Sequence, residues 1–262
     1  MPEGDAVYRA AARLRAALDG RALTRSDFRV PRHATADLTG RVVLTTASRG
    51  KHLLTRVEGG FTVHTHLRMD GSWRVERAGT PLRSGHMIRL ILANETWQAV
   101  GIRLGMVDLL RTDQEDRVVG HLGPDLLDPE WGHEMAARAA LNMAARPEAT
   151  IGEALLDQRN VAGIGTIWRA ETLFLSGVSP FRPVGQVADL AGMMGLAHRL
   201  LDAGKNQSGG PVTTGDRRPG RRFWAYGRAG RPCLRCGGEV LGGELGAQPY
   251  ERAIYYCPAC QP

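Results

Sequence analysis

Apolar positions near the start of the chain recur on a helical period. Val7, Ala10, Ala11, Leu14, Ala17 and Leu18 share one face of residues 5–18, and Gly20 is the stop. Beyond it the period changes. Short apolar–polar alternations at 41–48, 52–58, 61–67, 72–76, 86–93, 95–100 and 106–110 predict strands. Gly59-Gly60 and Asn94-Glu95 read as hairpin turns between them. Many short strands joined this way predict a β-sandwich or barrel of about 110 residues.

Segment 112–131 is polar, carries Gly120, Gly123-Pro124 and Pro129, and reads as a linker. From about 132 helix formers take over. Thr150-Ile-Gly-Glu153 is a capping box that opens a helix predicted to run through about Arg159. Asn160-Val-Ala-Gly163-Ile-Gly165 is a tight glycine-bearing turn. A second helix is predicted from about Thr166 to Ser176, stopped by Gly177, and a further one over roughly 186–203. Helix, short glycine turn, helix can hold phosphate on its backbone N–H groups, although most such patterns are packed hairpins. Segment 206–220, rich in Gly, Ser, Thr, Pro and Arg, reads as a mobile loop, and there is no internal repeat.

Composition adds a compartment and a partner. With 43% hydrophobic and 23% charged residues, the 262-residue chain has the make-up of a soluble globular protein. No apolar run reaches the roughly 18 residues of a membrane span and no signal segment opens the chain, so a cytoplasmic, nucleoid-associated location is expected. The net charge of +7 points to a polyanion. Arg217, Arg218, Arg221, Arg222, Arg228, Arg231 and Arg235 interleave with Phe223, Trp224 and Tyr226, a mixture suited to phosphates and stacked bases. Lysine, by contrast, occurs only at Lys51 and Lys205. A lysine kept against that arginine bias is a candidate for proton transfer.

The four cysteines are Cys233, Cys236, Cys257 and Cys260. Two C-x2-C pairs separated by twenty residues have the spacing of a closed, structural Zn2+ site; the alternative, two disulfides, does not suit a reducing compartment. Glu239-Val240-Leu241 and Ala253-Ile254-Tyr255-Tyr256 read as the strands of a hairpin pinned by that metal. At the other end, removal of Met1 would leave the Pro2 ring nitrogen as the α-amino group. Such a group titrates near ~8, so part of it is uncharged and can attack aldehyde-like carbons to form a Schiff base. Glu3 is placed to assist the proton transfers. By themselves Pro, Glu, Gly and Asp are also ordinary residues for a helix start.

In this order the pieces resemble the Fpg/Nei family of DNA glycosylases. Met1-Pro-Glu-Gly-Asp5, Ser48-Arg-Gly-Lys-His52, His66-Leu-Arg-Met-Asp-Gly71, 152–171, Tyr226-Gly-Arg-Ala-Gly-Arg-Pro-Cys233 and Tyr256-Cys-Pro-Ala-Cys-Gln261 carry the likeness. The resemblance implies an α+β fold: an N-terminal helix with a β-sandwich over 1–112, a linker over 113–131, a helix–two-turn–helix domain over 132–216 and a zinc finger over 217–262. It implies base excision with abasic-site lyase activity on damaged DNA. Pro2 would be the nucleophile, Glu3 the acid and Lys51 the lysine near the sugar and phosphate. His66 and Arg252 match phosphate contacts, and Met69 matches the apolar group that fills the gap left by a flipped nucleotide. His52 and His64 are expected to be surface charges or packed strand positions.

Three departures narrow this expectation. Thr166 stands where an Asn often follows the turn, so the phosphate contact is expected from Thr166 or from Asn160. The strand-reading loop, with Arg103 and Leu104, lacks the Arg-x-Phe wedge that serves 8-oxoguanine. Thr213-Thr214-Gly215-Asp216 and the ending look more Nei-like, as in actinobacterial members. Oxidised pyrimidines are therefore the expected lesions, with oxidised purines or abasic-site binding without cleavage as alternatives. A monomer with no small-molecule cofactor is expected.

Overall fold

The computed structural model describes residues 2–83, 85–207, 209–249 and 251–262. The chain divides into two compact units, Pro2 with Ala6–His121 and Glu3–Asp5 with Leu122–Pro262. Helix α1 (Gly4–Leu18) is followed by eight strands: β1 (Arg25–Phe28), β2 (Val43–Arg49), β3 (His52–Val57), β4 (Phe61–His66), β5 (Ser72–Arg77), β6 (Ile88–Ala93), β7 (Trp97–Ile102) and β8 (Met106–Arg111).

In the first unit the strands form two four-stranded antiparallel sheets, ordered β1-β6-β7-β5 and β2-β3-β4-β8. Alternation assigns the faces. Leu53, Val57 and Val63 of the second sheet share a buried core with Phe28, Leu90, Leu92 and Ala99 of the first and with Val7, Leu14 and Leu18 of α1. Burying each such side chain contributes about 1.5–3 kcal/mol. The residues between them on β3 and β4 point the other way, so His52, Arg56, Thr62, His64 and His66 line one polar face. Segment 112–121 covers that face. Glu115 takes two bonds from Arg56 (2.9 and 2.7 Å) and one from Thr62 Oγ1 (2.6 Å). The polar composition that reads as a linker therefore serves ion pairing here, with the short helix α2 (Asp116–Val119) built into the cover. Leu122, Leu126 and Leu127, also within the expected linker, are buried in the second unit. Strand β1 has no alternation to betray it; its Arg25-Ser-Asp-Phe28 run is buried only at Phe28 and forms by pairing with β6.

The second unit contains α3 (His133–Ala144), α4 (Ile151–Ala154), α5 (Thr166–Ser176), α6 (Leu190–Lys205) and the hairpin β9 (Leu241–Leu245) and β10 (Arg252–Tyr256). The capping box forms, with Thr150 Oγ1 accepting from the Glu153 N–H at 3.3 Å. The helix it opens is much shorter than predicted and ends at Ala154. Side chains take over the backbone groups a longer helix would need. Asn160 Nδ2 donates to Ala154 O at 2.9 Å, Gln158 Nε2 donates to Leu156 O at 2.9 Å and Ile164 O at 3.0 Å, and Asp157 Oδ1 accepts from the Arg159 N–H at 3.0 Å. No helix among the described residues is long and apolar enough to cross a membrane.

Candidate active site and metal centre

Helix α5 begins at Thr166, and its N-cap, Gly165, offers no side chain to the free N–H groups of the first turn. Glu3 supplies the missing acceptor. Its carboxylate, 2% exposed, accepts from the N–H groups of Gly165 (2.8 Å), Ile167 (2.7 Å) and Trp168 (3.2 Å). A carboxylate at a helix N-terminus also meets the positive end of the macrodipole. The turn is built for this approach. A Cβ on Gly165 would lie 2.6 Å from Glu3 Cγ, and Gly163 has a φ of +106° that only glycine adopts cheaply. The Gly4 N–H donates to Gly163 O at 2.9 Å, and Trp168 Nε1 donates to Asp5 Oδ1 at 3.0 Å. Residues 3–5 are thus stitched to the glycine turn by backbone and side chain. Asn160, expected as an alternative phosphate contact, donates one amide N–H to Ala154 O at the end of α4.

In the first unit Pro2 is half-buried, and Lys51 occupies the two-residue turn Gly50-Lys51 between β2 and β3. The Lys51 charge reaches His66: burial first, then Arg68 and Lys51, push the His66 imidazole down to about 4. Met69 stands 61% exposed at the loop after β4. The loop after β7 lies against it, since a Cβ on Gly105 would run into the Arg68 side chain. Arg103, at a φ of +48°, is exposed on that loop with Nε 2.9 Å from Met87 Sδ. Leu104 departs from expectation. It is 6% exposed and packs into the sandwich core beside Gly101, whose missing side chain makes room for it. It is core rather than contact surface.

His52 and His64 are more than packed strand positions. His52 Nδ1 lies 2.8 Å from His64 Nε2, their rings stack at 5.1 Å, and His52 meets His66 edge-on at 5.0 Å. Burial, then His66, His64, His121 and Arg68, push the His52 imidazole down to about 3.

The four cysteine sulfurs of the second unit lie within 4.8 Å of one another. Cys233 Sγ is 3.9 Å from Cys260 Sγ, and Cys236 Sγ is 3.5 Å from Cys257 Sγ. These separations are far too long for disulfides, which need about 2.05 Å. They match the ~3.8 Å edge of a tetrahedron with 2.3 Å metal–sulfur bonds. The Arg235 N–H donates to Cys233 Sγ at 3.4 Å, and Gly237 turns the first knuckle at a φ of +78°. The donor set fits a four-coordinate metal.

The basic, aromatic stretch before the metal site is used largely within the fold. Trp224 stacks on Phe174 at 5.6 Å, and Tyr226 meets Phe223 and Tyr255 edge-on, each at 5.3 Å. Arg235 covers the Phe174 ring, while Arg222 and Arg228 donate to backbone carbonyls. The aromatics of this stretch pack on neighbouring rings and stay partly exposed. Thr213, within the segment 206–220 that the sequence reads as mobile, is held as well. Glu171, fully buried on α5, accepts from the N–H groups of Trp224, Ala225 and Tyr226, each at 2.9 Å, and from Thr213 Oγ1. Its neighbour Arg169, 1% exposed, donates to Gly152 O at 3.2 Å and to Ala253 O at 2.6 Å, which ties α4 and β10 to α5. Arg252 lies on β10 beside that anchor. The signal for both anchors was present: charged residues within a helix that also carries Trp168, Leu173 and Phe174.

Residues 1–109 match the formamidopyrimidine-DNA glycosylase N-terminal domain, and residues 122–200 match the formamidopyrimidine-DNA glycosylase H2TH domain. A probable endonuclease 8 2 of Streptomyces coelicolor is 56% identical over 267 residues, covering 100% of this chain and 94% of its own. The DNA-(apurinic or apyrimidinic site) lyase Nei2 of Mycolicibacterium smegmatis is 44% identical over 261 residues, covering 100% of this chain and 99% of its own. In fold, the chain matches the Lactococcus lactis Fpg solved in complex with DNA containing an abasic site, with a TM-score of 0.80 at 22% identity over 99% of both chains. The chain belongs to the formamidopyrimidine-DNA glycosylase family, on its endonuclease 8 branch.

Proposed function

We propose that this chain is a base-excision-repair DNA glycosylase with abasic-site lyase activity, acting on oxidised pyrimidines. The observation that carries the reading is the Glu3 carboxylate, clamped by three backbone N–H groups at the start of α5, one residue after Pro2. A buried carboxylate fixed in this way is preorganised to serve a single reacting centre. Relatives named endonuclease 8 and abasic-site lyase support the activity. The missing Arg-x-Phe wedge at 102–105 supports the lesion class.

With Met1 removed, the Pro2 amine attacks C1′ of the damaged nucleotide. The C1′–N bond breaks and the base leaves with the electron pair and a proton. Glu3 assists opening of the sugar ring, which leaves an iminium between Pro2 and C1′. Loss of a C2′ proton expels the 3′ phosphate, and a second elimination expels the 5′ phosphate. Lys51 and His66 sit near the sugar and phosphate, Thr166 and Arg252 hold the backbone, Arg103 follows the opposite strand, and Met69 fills the vacated space. Cys233, Cys236, Cys257 and Cys260 hold one Zn2+, which fixes the hairpin carrying Arg252 and takes no part in the chemistry.

Parallel assays on duplexes carrying thymine glycol or 8-oxoguanine test the reading. Faster cutting of the thymine glycol strand, with phosphate on both new ends, is the expected result. Preference for 8-oxoguanine contradicts the lesion class, and tight binding without any cutting contradicts the activity.

A further inference from the structure

The polar face of the second sheet carries two histidines, His52 and His64, that the reaction above does not use, beside His66, which it does. His52 and His66 are directly paired across β3 and β4. His64 precedes His66 by two residues on the same face and is 1% exposed. Hydrogen bonding fixes the proton on each ring. His66 Nδ1 accepts from the Arg68 N–H at 2.9 Å, so its lone pair is on Nδ1 and the proton of the neutral ring is on Nε2. One hydrogen is shared between His52 Nδ1 and His64 Nε2. His64 Nδ1 is buried and has no partner. If His52 were the donor, the His64 proton would sit on Nδ1 as a buried N–H without an acceptor, which is costlier than a buried lone pair. His64 Nε2–H therefore donates, and the His52 proton is on Nε2.

The result is two neutral N–H donors side by side. Neither His52 Nε2 nor His66 Nε2 has a hydrogen-bond partner among the described residues, and neither is buried away from solvent. The charged and titratable groups facing them are Lys51, Arg68 and His121, while Asp108 and Glu115 face His64. The ligand this suits is an anion whose oxygens accept from uncharged N–H groups under a cationic field. We propose that His52 is a further DNA-contacting residue, donating from Nε2 to a backbone phosphodiester beside His66, and that His64 is the positioning residue that fixes its proton. The proposal rests on the glycosylase reading for the identity of the phosphate.

The test has two arms. Nitrogen-15 NMR of the free protein reads the protonated nitrogen of each histidine. His52 is expected as the Nε2–H form from pH 8 to pH 5, and His64→Leu is expected to release it into a mixture. A protonated His52 Nδ1 in the wild type overturns the proposal without touching the glycosylase reading. In the second arm, fluorescence anisotropy follows binding to a duplex with an uncleavable tetrahydrofuran abasic site over a salt series. His52→Ala should weaken binding by about tenfold, the loss of one hydrogen bond to a charged partner, whereas His64→Leu, which leaves part of the population in the donating form, should weaken it by about twofold. Neither should change the salt slope, because a neutral donor displaces no counterion, whereas Lys51→Ala should lower it. His64→Gln, which keeps a donor near the Nε2 position, should return His52 to the Nε2–H form in the nitrogen-15 spectrum. Wild-type affinity in His52→Ala, or a single Nε2–H form of His52 retained in His64→Leu, overturns the proposal. A wild-type protein that does not bind the duplex contradicts the glycosylase reading and the phosphate role with it.

Discussion

Replacing Glu171 by glutamine removes one oxygen from a carboxylate that holds a loop by four hydrogen bonds. Oε1 accepts from the Ala225 and Tyr226 N–H groups, and Oε2 from the Trp224 N–H and Thr213 Oγ1. With the amide nitrogen in the Oε2 position, the Trp224 N–H faces a donor, while the Thr213 hydroxyl can turn to accept. One bond to a charged group is lost, at about 1.5–3 kcal/mol, and the others fall to the neutral range near 1 kcal/mol. The sum is at least about 3 kcal/mol against the closed loop, or on the order of a hundredfold more opening or greater. Because the partners are loop residues rather than core, the opening should be local. Hydrogen exchange at Trp224, Ala225 and Tyr226 should speed up by that factor, and trypsin should cut faster at Arg217, Arg218, Arg221 and Arg222. Exchange across α1 and the sandwich strands should not change. Unaltered exchange at 224–226 in a folded Glu171→Gln protein would refute the reasoning.

A Cβ placed on Gly165 collides with Glu3, so Gly165→Ala should displace the carboxylate and lower kcat/KM on abasic DNA by about a hundredfold, as a misplacement near 1 Å does; retention of wild-type rates would show the clamp to be incidental. Stripping the metal with a thiol-reactive chelator should release one Zn2+ per chain and abolish DNA binding while leaving the sandwich folded. Release of no zinc contradicts the assignment of the four cysteines to one metal. Acid should destabilise the first unit. The His52 and His66 imidazoles lie at about 3 and about 4 in the fold against an ordinary 6.5, so between those limits the unfolded chain binds protons that the folded one refuses. Stability is then fully present above about 6.5 and falls as pH drops toward 4. The melting temperature should follow that course, and a His52→Gln variant with an undiminished slope would contradict it.

Much of the fold was legible because it depends on local alternation. The strands from β2 to β8 and the second strand of the cysteine hairpin follow from spacing, as do the hairpin turns at Gly59-Gly60 and Asn94-Glu95, whereas the hairpin's first strand, expected at 239–241, forms at Leu241–Leu245. What was illegible depends on distant partners. Glu171 meets groups 42 to 55 positions away, and Arg169 reaches Ala253 across 84. Nothing in the neighbourhood of either residue announces those partners. The stop of α4 at Ala154 required knowing that Asn160 and Gln158 fold back, and Leu104 became core only because Gly101 leaves space for it. At the site, family likeness identified Glu3, but not that its carboxylate replaces the missing cap of α5. The histidine pair was visible as residues, yet its meaning needed the register that sets His52 against His66. In the arginine-rich stretch, composition pointed to phosphates and bases but not to the ring contacts that Trp224 makes with Phe174 and Tyr226 with Tyr255.

The identity of the nucleophile is open to one decisive measurement: borohydride trapping on an oligonucleotide with an abasic site, using wild-type and Pro2→Gly proteins with Met1 removed. Hydride reduces the iminium between amine and C1′ to a stable bond, so the wild type should migrate as a covalent DNA adduct whose attached peptide begins at Pro2. The Pro2→Gly protein should give little or none. An adduct mapped to Lys51, or no adduct from wild-type protein that binds the oligonucleotide, would contradict the mechanism.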